Sequence, residues 1–306
     1  MKNFYGFSIV FFLALCLLIS CDQEHENKGA VSDHGEKDSI YTIVPEDIST
    51  FLSGSGTDSF LISAHRGSRY YKGWPENCLE SFEYILTQVP ALIEFDIRLS
   101  KDSVLFLLHD ETLDRTTTGS GRADSFYFQE INSLNLLDSE GHLTDYHPSK
   151  LSDVLKWGKG RTILKLDIKQ NVPYGRVIEE IREAEAEDHL MVIVYSIRAA
   201  EAFHRQADDI MMSVPVRNMN EFQRLLDSEL PLDRVVAFTG TRKTDTALFD
   251  ALRQKNIISI QGTIGNLDQQ ALNKGFDFLT KWYEEGADIL ATDYPIELYN
   301  FIKSLK

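Results

Sequence analysis

Short apolar runs alternate with amphipathic stretches along the chain after Phe60, and few folds are compatible with this alternation. Helical patterns, such as residues 75–88 and 176–187, lie between most of the runs. Strands that alternate with helices indicate a parallel sheet, and about eight such units predict an α/β protein with a (β/α)8 (TIM) barrel. A doubly wound open sheet is the alternative fold. The nine strand-like runs, of which one must be peripheral to such a barrel, are 61–64, 92–99, 104–108, 162–168, 190–195, 210–214, 235–238, 257–260 and 287–291.

The composition restricts the class of partner. Of 306 residues, 43% are hydrophobic and 25% are charged, which are the proportions of a globular protein. The 47 acidic residues outnumber the 31 basic ones, and the formal net charge is −16. Nucleic-acid binding requires basic patches that neutralise phosphates, and none is visible, so we exclude a nucleic-acid partner. Acidic clusters can still attract a metal ion.

The N-terminal segment has the pattern of an export signal. Lys2 is the one charged residue among the first 20, and residues 4–19 are almost wholly apolar. The segment ends in Leu18-Ile19-Ser20-Cys21, which resembles the lipobox of bacterial lipoproteins. The resemblance implies that Cys21 becomes the acylated N-terminus of an exported protein anchored in a membrane, in the periplasm or at the cell surface. An ordinary signal peptide or a short membrane anchor is the alternative.

The sequence predicts three segments: a signal peptide at 1–20, a tether at 21–58 and the barrel at 59–306. Residues 22–39 are polar and without periodicity, as in flexible linkers, and 40–52 are predicted to form a short helix against the barrel. Cys78 is the one cysteine of the barrel segment, so no intramolecular disulfide is expected there. A cysteine that begins a helix can have a lowered pKa, but no base is assigned to Cys78 and we predict no nucleophile.

One connection is too short for a crossover helix. Residues 100–103 alone separate two strand-like runs, so a hairpin is predicted there. Pairing Leu99 with Val104 would place Glu94 opposite His109, and Glu94 and Asp96 share a face because strand side chains alternate. Both acids lie on a largely apolar strand, where an isolated charge is costly. This position favours a functional role over a solvated face.

Polar motifs follow several of the predicted strands, and the carboxyl ends of barrel strands are where active sites are built. In chain order they are Ser63-Ala64-His65-Arg66-Gly67, Pro75-Glu76-Asn77-Cys78, Ile93-Glu94-Phe95-Asp96-Ile97, His109-Asp110, Leu113-Asp114-Arg115-Thr116-Thr117-Thr118-Gly119, Leu166-Asp167-Ile168-Lys169 and Asp288-Ile289-Leu290-Ala291-Thr292-Asp293-Tyr294-Pro295.

Together, in this order, the motifs resemble those of the glycerophosphodiester phosphodiesterase family, within the phospholipase-C-like phosphodiesterase superfamily. The resemblance extends from about Leu61 to the C-terminus. It implies a distorted (β/α)8 barrel, with a small insertion at about 110–149, that hydrolyses a glycerophosphodiester to an alcohol and glycerol phosphate with one divalent cation, Ca²⁺ or Mg²⁺. By the same resemblance, the acid–base pair is His65 and His109, the metal ligands are Glu94, Asp96 and Asp167, and the substrate-binding residues are Arg66 and Lys169 with Glu76 and Asn77, whose segment supports Arg66.

The sequence departs from the family pattern at several positions. The third metal ligand is usually Glu, and Asp167 still ligates through oxygen, as Mg²⁺ and Ca²⁺ require, but is one methylene shorter, which can change the metal affinity or identity. Gly262 stands where the family often has a tryptophan that contacts the glycerol side of the substrate. Ser103 replaces the usual turn glycine. Asp110 and Asp293 are assigned to brace strand ends.

Elementary chemistry agrees with the implied roles. Cations offset the charge that builds on phosphoryl oxygens, and histidine transfers protons well because its pKa lies near neutrality. Two alternatives remain: a related phosphodiesterase that acts on inositol or sugar–glycerol phosphodiesters, and a ligand-binding lipoprotein that has lost catalysis. Retention of both histidines and of all three carboxylate positions favours an enzyme, and Asp167 is the one feature that favours the binding protein.

Overall fold

Eight parallel strands close into a barrel in the computed structural model, which describes residues 61–305 together with Ile48 and Leu52. The predicted (β/α)8 barrel is thereby confirmed and the doubly wound open sheet is excluded. The sheet runs β1-β9-β8-β7-β6-β5-β4-β2, and β2 pairs with β1 to complete the ring. The strands are β1 Leu61–Ala64, β2 Ala91–Leu99, β3 Leu105–Leu107, β4 Leu164–Ile168, β5 Leu190–Ile193, β6 Met211–Pro215, β7 Val235–Phe238, β8 Ser259–Gly262 and β9 Ile289–Thr292.

Helices connect the barrel strands, as the alternation predicts. Short 3-10 turns at Ala123–Ser125, Glu187–His189 and Leu232–Arg234 complete the regular structure of the described residues. The α-helices of residues 61–305 are α1 Leu79–Gln88, α2 Phe128–Asn132, α3 Leu151–Gly158, α4 Tyr174–Glu183, α5 Ile197–His204, α6 Met219–Leu226, α7 Thr246–Gln254, α8 Asn266–Lys274, α9 Asp277–Glu284 and α10 Pro295–Ser304.

The peripheral ninth run is β3, which pairs antiparallel with β2 beyond the end of β1. The predicted hairpin is therefore confirmed, but the predicted register is wrong by one residue, because Leu99 pairs with Leu105 rather than Val104. Ser100 donates its N–H to the carbonyl of Val104, so the loop has three residues at its tip. Ser103 ends that loop with a φ of 63°, the left-handed conformation for which glycine is usual.

Two helices begin at residues other than those that the sequence predicts. The predicted helix at 75–88 begins only at Leu79, because the preceding residues form a loop of the site, with Asn77 at a φ of 54°. The helix predicted at 176–187 spans Tyr174–Glu183 and ends before Glu185, whose φ of 49° turns the chain.

Apolar side chains fill both faces of the sheet. The cluster between the strands and the helices includes Phe82, Phe95 and Phe203. A second buried cluster fills the amino end of the barrel interior, and it includes Ile48 and Leu52, which are helical. These two residues agree with the short helix predicted at 40–52. The interior of the carboxyl end is left to polar side chains.

The predicted signal peptide, Cys21 and the remainder of the tether lie outside the described residues. Among the described residues, every helix is too short or too polar to cross a bilayer. The predicted insertion at 110–149 follows β3 and contains α2, and its own small core includes Phe128 and Ile131.

His189 provides a test of the fold by pH. The side chain is buried at the end of the 3-10 turn before β5, where Nε2 lies 3.3 Å from the carbonyl oxygen of Leu155 in α3. Burial lowers the pKa of His189 below its ordinary value. Above the unfolded pKa of about 6.5 both states are neutral, and below it the unfolded state takes up the proton first. We expect stability to fall as pH falls through this window, by up to ~1.4 kcal/mol per pH unit.

The measurement is urea unfolding of the wild type and His189→Gln between pH 7.5 and pH 5. Glutamine retains an N–H donor and removes the titrating group, so the variant should lose less stability over the same range. Parallel losses in the two proteins would contradict the role of His189.

Candidate active site

The adjacent strands β2 and β4 bring the predicted metal ligands together. Asp96 and Asp167 are register partners on adjacent strands, and Glu94 lies two residues before Asp96 on the same inward face. One carboxylate oxygen from each of the three lies within 4.8 Å of the other two, and all three side chains are buried. Within residues 61–305, the fold thus brings the three carboxylates into one cluster, and the distances between them could not be read from the sequence.

The electrostatics of this cluster favour a cation. Burial, together with the charge of Asp96, raises the pKa of Glu94 to about 7. Burial also opposes the charge of Asp96, but Lys169 and Arg66 outweigh it and lower the pKa of that carboxyl. The Lys169 ammonium lies 2.5 Å from Asp96 Oδ1 and 2.6 Å from Asp167 Oδ2. Two of the three carboxylates therefore already hold a positive charge between them, and the all-oxygen donor set fits Mg²⁺ or Ca²⁺.

His65 follows β1 directly and is held from the other end of the chain. Its Nδ1 lies 2.6 Å from Asp293 Oδ1, just after β9. Burial would raise the pKa of Asp293, but the hydrogen bond and charge of His65 lower it, so the carboxylate is ionised and can only accept. Nδ1–H is therefore the donor, and Nε2 lies toward the carboxylate cluster, 3.9 Å from Glu94 Oε2.

His109 has a matching arrangement at the end of the hairpin. Its Nδ1 donates to Asp110 Oδ1 over 2.7 Å, and its own carbonyl oxygen accepts two hydrogen bonds from Arg98. Partial burial lowers the pKa of His109, against the opposing effects of Asp96 and Asp110. Asp96 thus influences His109, although Leu108 is the residue beside it and donates its N–H to the Asp96 carbonyl. The predicted position of Glu94 opposite His109 is wrong, because the hairpin register is shifted by one residue.

Arg66 lies at the turn between His65 and the rest of the site. Its backbone N–H donates to Glu94 Oε2 over 2.7 Å, and its Nη1 donates to Glu76 Oε1 over 2.9 Å. Arg66 and Gly67 both have a positive φ, 54° and 68°. A Cβ at Gly67 would lie 2.1 Å from Phe82 Cδ1, so only glycine fits the turn.

Asn77 supports the carboxylate cluster as well as the loop. Its Nδ2 donates to Asp96 Oδ2 over 2.8 Å, and its Oδ1 accepts from the Asp96 N–H over 2.9 Å. The segment of Glu76 and Asn77, which the family resemblance assigns to the support of Arg66, thus also fixes the orientation of Asp96. Every predicted site residue of the barrel lies in this one region.

Four further side chains belong to the site, and the sequence analysis assigned them no such role. Asp110 and Asp293 hold the two histidines rather than merely ending strands. The Tyr195 hydroxyl donates to both oxygens of Asp167, over 2.6 and 2.7 Å. Lys165 lies fully buried below the cluster, where its Nζ is 3.2 Å from Ser63 Oγ and burial lowers its pKa to about 8. Of these four residues, only Asp110 could have been assigned to the site from the sequence, because it directly follows His109.

The structure also shows the surroundings of Cys78 and Gly262. Burial raises the pKa of the Cys78 thiol to about 12, and the thiol lies 3.1 Å from Glu80 Oε2, so the thiol is unreactive. A Cβ at Gly262 would lie 3.0 Å from Thr241 Cγ2 and 3.1 Å from the Gly240 carbonyl oxygen, so a larger side chain here would require these neighbours to shift.

Comparisons with known proteins agree with this fold. The profile of the glycerophosphoryl diester phosphodiesterase family matches residues 65–273. A crystal structure of a glycerophosphoryl diester phosphodiesterase from Parabacteroides distasonis is 31% identical, covers 86% of this chain and 94% of its own, and has a TM-score of 0.80. The chain therefore belongs to the glycerophosphoryl diester phosphodiesterase family.

The other comparisons cover less of the chain or show the fold alone. A glycerophosphodiester phosphodiesterase from Caldanaerobacter subterraneus is 41% identical over 75 residues, 24% of this chain and 30% of that protein. One from Bacillus altitudinis is 30% identical over 165 residues, 50% and 65% of the two chains. The chain thus aligns with less than two thirds of the length of these relatives. An Oleispira antarctica phosphodiesterase in complex with sn-glycerol-3-phosphate is 20% identical, covers 79% and 96%, and has a TM-score of 0.63.

Tyr195 gives a test of the carboxylate cluster as a metal site. Its hydroxyl fixes Asp167, the shorter ligand, and partners of this kind typically contribute 10- to 100-fold, roughly, to metal affinity. We expect Tyr195→Phe to weaken binding of Mg²⁺ or Ca²⁺ by about that factor, measured by isothermal titration calorimetry. Tyr174→Phe is the matched control, since Tyr174 lines the same cleft but packs edge-on against Phe203. Equal affinities in the two variants would contradict the role of Tyr195.

Proposed function

We propose that this protein hydrolyses glycerophosphodiesters to an alcohol and glycerol phosphate, with one bound divalent cation, Ca²⁺ or Mg²⁺. The observation that carries the proposal is the convergence of two carboxylate-held histidines on one buried acidic cluster at the carboxyl end of the barrel. The glycerol phosphate held by the Oleispira relative supports the assignment of the product.

The residues that would hold the cation are Glu94, Asp96 and Asp167. A bound cation would offset the negative charge of the phosphoryl oxygens, which otherwise repels a nucleophile. Lys169 lies between two of these carboxylates, and its ammonium would offset the negative charge of a phosphate bound at this centre.

The Arg66 side chain has an N–H donor beside the carboxylate cluster that forms no hydrogen bond within the described residues. Its Nε is buried, lies 3.5 Å from Asp96 Oδ2, and makes no hydrogen bond to any group of the described residues. Buried N–H donors without partners are costly, so this donor is matched to an acceptor supplied by a ligand. Although burial opposes it, the charges of Glu76, Asp96 and Glu94 raise the pKa of Arg66, which stays cationic for a phosphoryl oxygen.

Two histidines supply the proton transfers. One accepts the proton of the attacking hydroxyl group, and the other protonates the leaving alkoxide. Asp293 holds Nδ1 of His65, and Asp110 holds Nδ1 of His109, so in each ring Nε2 is the nitrogen that exchanges the proton. A carboxylate behind each ring also stabilises the imidazolium that forms when the ring accepts a proton.

The alternatives differ in what the same centre would do. Inositol or sugar–glycerol phosphodiesters would use the same groups and differ only in the alcohol. A ligand-binding lipoprotein without catalysis has no need of two carboxylate-held histidines. Asp167, the one feature in its favour, lies in the cluster with its orientation fixed by Tyr195.

The test is release of glycerol phosphate by the purified protein from glycerophosphocholine, glycerophosphoethanolamine and glycerophosphoinositol, with Ca²⁺, Mg²⁺ or EDTA. We expect metal-dependent release that EDTA abolishes. His65→Ala and His109→Ala should each lower turnover by at least about 10² because each removes a proton-transfer group. His142→Ala is the matched control, since His142 also pairs with an aspartate, Asp138, but is exposed.

Full activity in EDTA would contradict the metal site. Near-normal turnover in either histidine variant would remove that residue from the mechanism. Hydrolysis of a different phosphodiester under the same conditions would establish the alternative substrate class.

We further propose that the protein is an exported lipoprotein, anchored in a membrane through acyl chains on Cys21 and facing the periplasm or the cell surface. The support is the sequence alone: a single lysine, an apolar stretch and Leu18-Ile19-Ser20-Cys21 in succession. Several acyl chains at one residue give a stable anchor.

Incorporation of radiolabelled palmitate in growing cells tests the anchor. We expect Cys21→Ser to abolish labelling, because the thiol is the acylated group, while Cys16→Ser in the same leader leaves labelling unchanged. Equal labelling of Cys21→Ser and the wild type would contradict the proposal.

A further inference from the structure

Arg115 lies in the Leu113–Gly119 motif, to which the proposed mechanism gives no role. Its guanidinium donates four hydrogen bonds to two carboxylates. Nη1 and Nη2 reach Glu76 Oε2 and Oε1, over 2.9 and 2.8 Å. Nε and Nη2 reach Asp110 Oδ2 and Oδ1, over 2.6 and 3.1 Å. One planar group thus bridges two acids on different segments of the chain.

Each of these acids already holds a predicted site residue. Glu76 Oε1 accepts a hydrogen bond from Arg66 Nη1, and Asp110 Oδ1 accepts one from His109 Nδ1. The hydrogen bonds form a continuous path from Arg66 through Glu76, Arg115 and Asp110 to His109. The phosphate-binding arginine and one proton-transfer histidine are therefore linked through a residue of the insertion.

We propose that Arg115 is a positioning residue, which fixes His109 through Asp110 and Arg66 through Glu76; this role rests on the proposed function. The insertion is thereby part of the catalytic centre rather than an addition to the barrel. Because an arginine fork matches carboxylates in two directions at once, lysine would supply the charge but only part of the geometry.

The exposure of Arg115 distinguishes a positioning role from a role in the stability of the fold. The Arg115 side chain is 46% exposed, and ion pairs of exposed side chains contribute little to stability. Its buried partner Glu76 also keeps a hydrogen bond from Arg66 when Arg115 is removed. Removing Arg115 should therefore leave the fold largely unchanged while it frees Asp110 and Glu76 to reorient. The hydrogen bonds of Arg115 also lower the pKa of both acids, although the burial of Glu76 opposes this, and their carboxylates stay ionised as acceptors.

The chain offers a matched control in Arg122. It lies in the same insertion, bridges two carboxylates, Glu111 and Asp124, and is 52% exposed. Arg115→Ala should lower kcat/KM for the best glycerophosphodiester by about 10²-fold, as misplacement of catalytic groups does, mainly through kcat. Arg122→Ala should match the wild type, and Arg115→Lys should recover part of the activity. Near-normal kcat/KM in Arg115→Ala would overturn the proposal.

A double-mutant cycle tests whether Arg115 acts through Asp110. If it does, Arg115→Ala should lower kcat/KM by a much smaller factor in an Asp110→Asn background than in the wild type. Losses that multiply in the double variant would overturn the path to His109. Unchanged unfolding midpoints for Arg115→Ala and Arg122→Ala are expected alongside.

A readout independent of activity keeps the two proposals apart. In ¹⁵N-histidine-labelled protein, the ring signals of His109, identified by their loss in His109→Ala, should shift in Arg115→Ala and stay in place in Arg122→Ala. Unshifted signals in Arg115→Ala would overturn the positioning of His109, whether or not any diester is hydrolysed. Absence of hydrolysis by the wild type would instead contradict the proposed function alone.

Discussion

Negative charge buried inside an apolar barrel is the constraint around which the carboxyl end of this molecule is organised. Glu94, Asp96 and Asp167 lie within 4.8 Å of one another with little access to water. Unpaired charges in such a place are very costly. Lys169 and Asn77 therefore lie against them, and the backbone turn at Arg66 directs an N–H at Glu94.

The same charge explains why the centre suits a phosphodiester. An acidic cluster alone would repel an anion, but cations contributed by the chain surround it, and a bound divalent ion would invert the local sign. The two histidines lie at the edge of this field, each tied at Nδ1 to its own aspartate. Preorganised dipoles and charges of this kind lower barriers because they need no rearrangement during reaction.

The sequence was most informative where the signal is local. Alternation of strands and helices predicted the barrel, and the four-residue connection before Val104 predicted the hairpin, because both depend on neighbouring residues. The hairpin register failed by one residue because Ser103 adopts a left-handed conformation that adds a residue to the loop. Loop conformation of this kind is set by single backbone angles that residue patterns do not encode.

Site residues were found where they belong to ordered motifs and missed where their partners are remote. Asp293 lies 228 residues from His65, and Tyr195 lies 28 residues from Asp167. Closure of the barrel between β1 and β9 brings the first pair together, and pairing of β4 with β5 brings the second pair together. No spacing rule of the sequence predicts either contact. Arg115 was visible as part of a motif, but its link to Glu76, 39 residues away, required the structure.

The bond between His65 and Asp293 has a consequence for how activity is acquired during folding. It joins the first described strand to the last, so it can form only after every intervening unit has been built and β1 has met β9. Contacts of such long range form late, because loop-closure entropy must first be overcome. A chain that is still folding, or is released before its last strand, contains most of the groups proposed to bind the metal and the phosphate, yet it lacks the contact of His65 with Asp293. The complete support of His65 thus depends on closure of the ring.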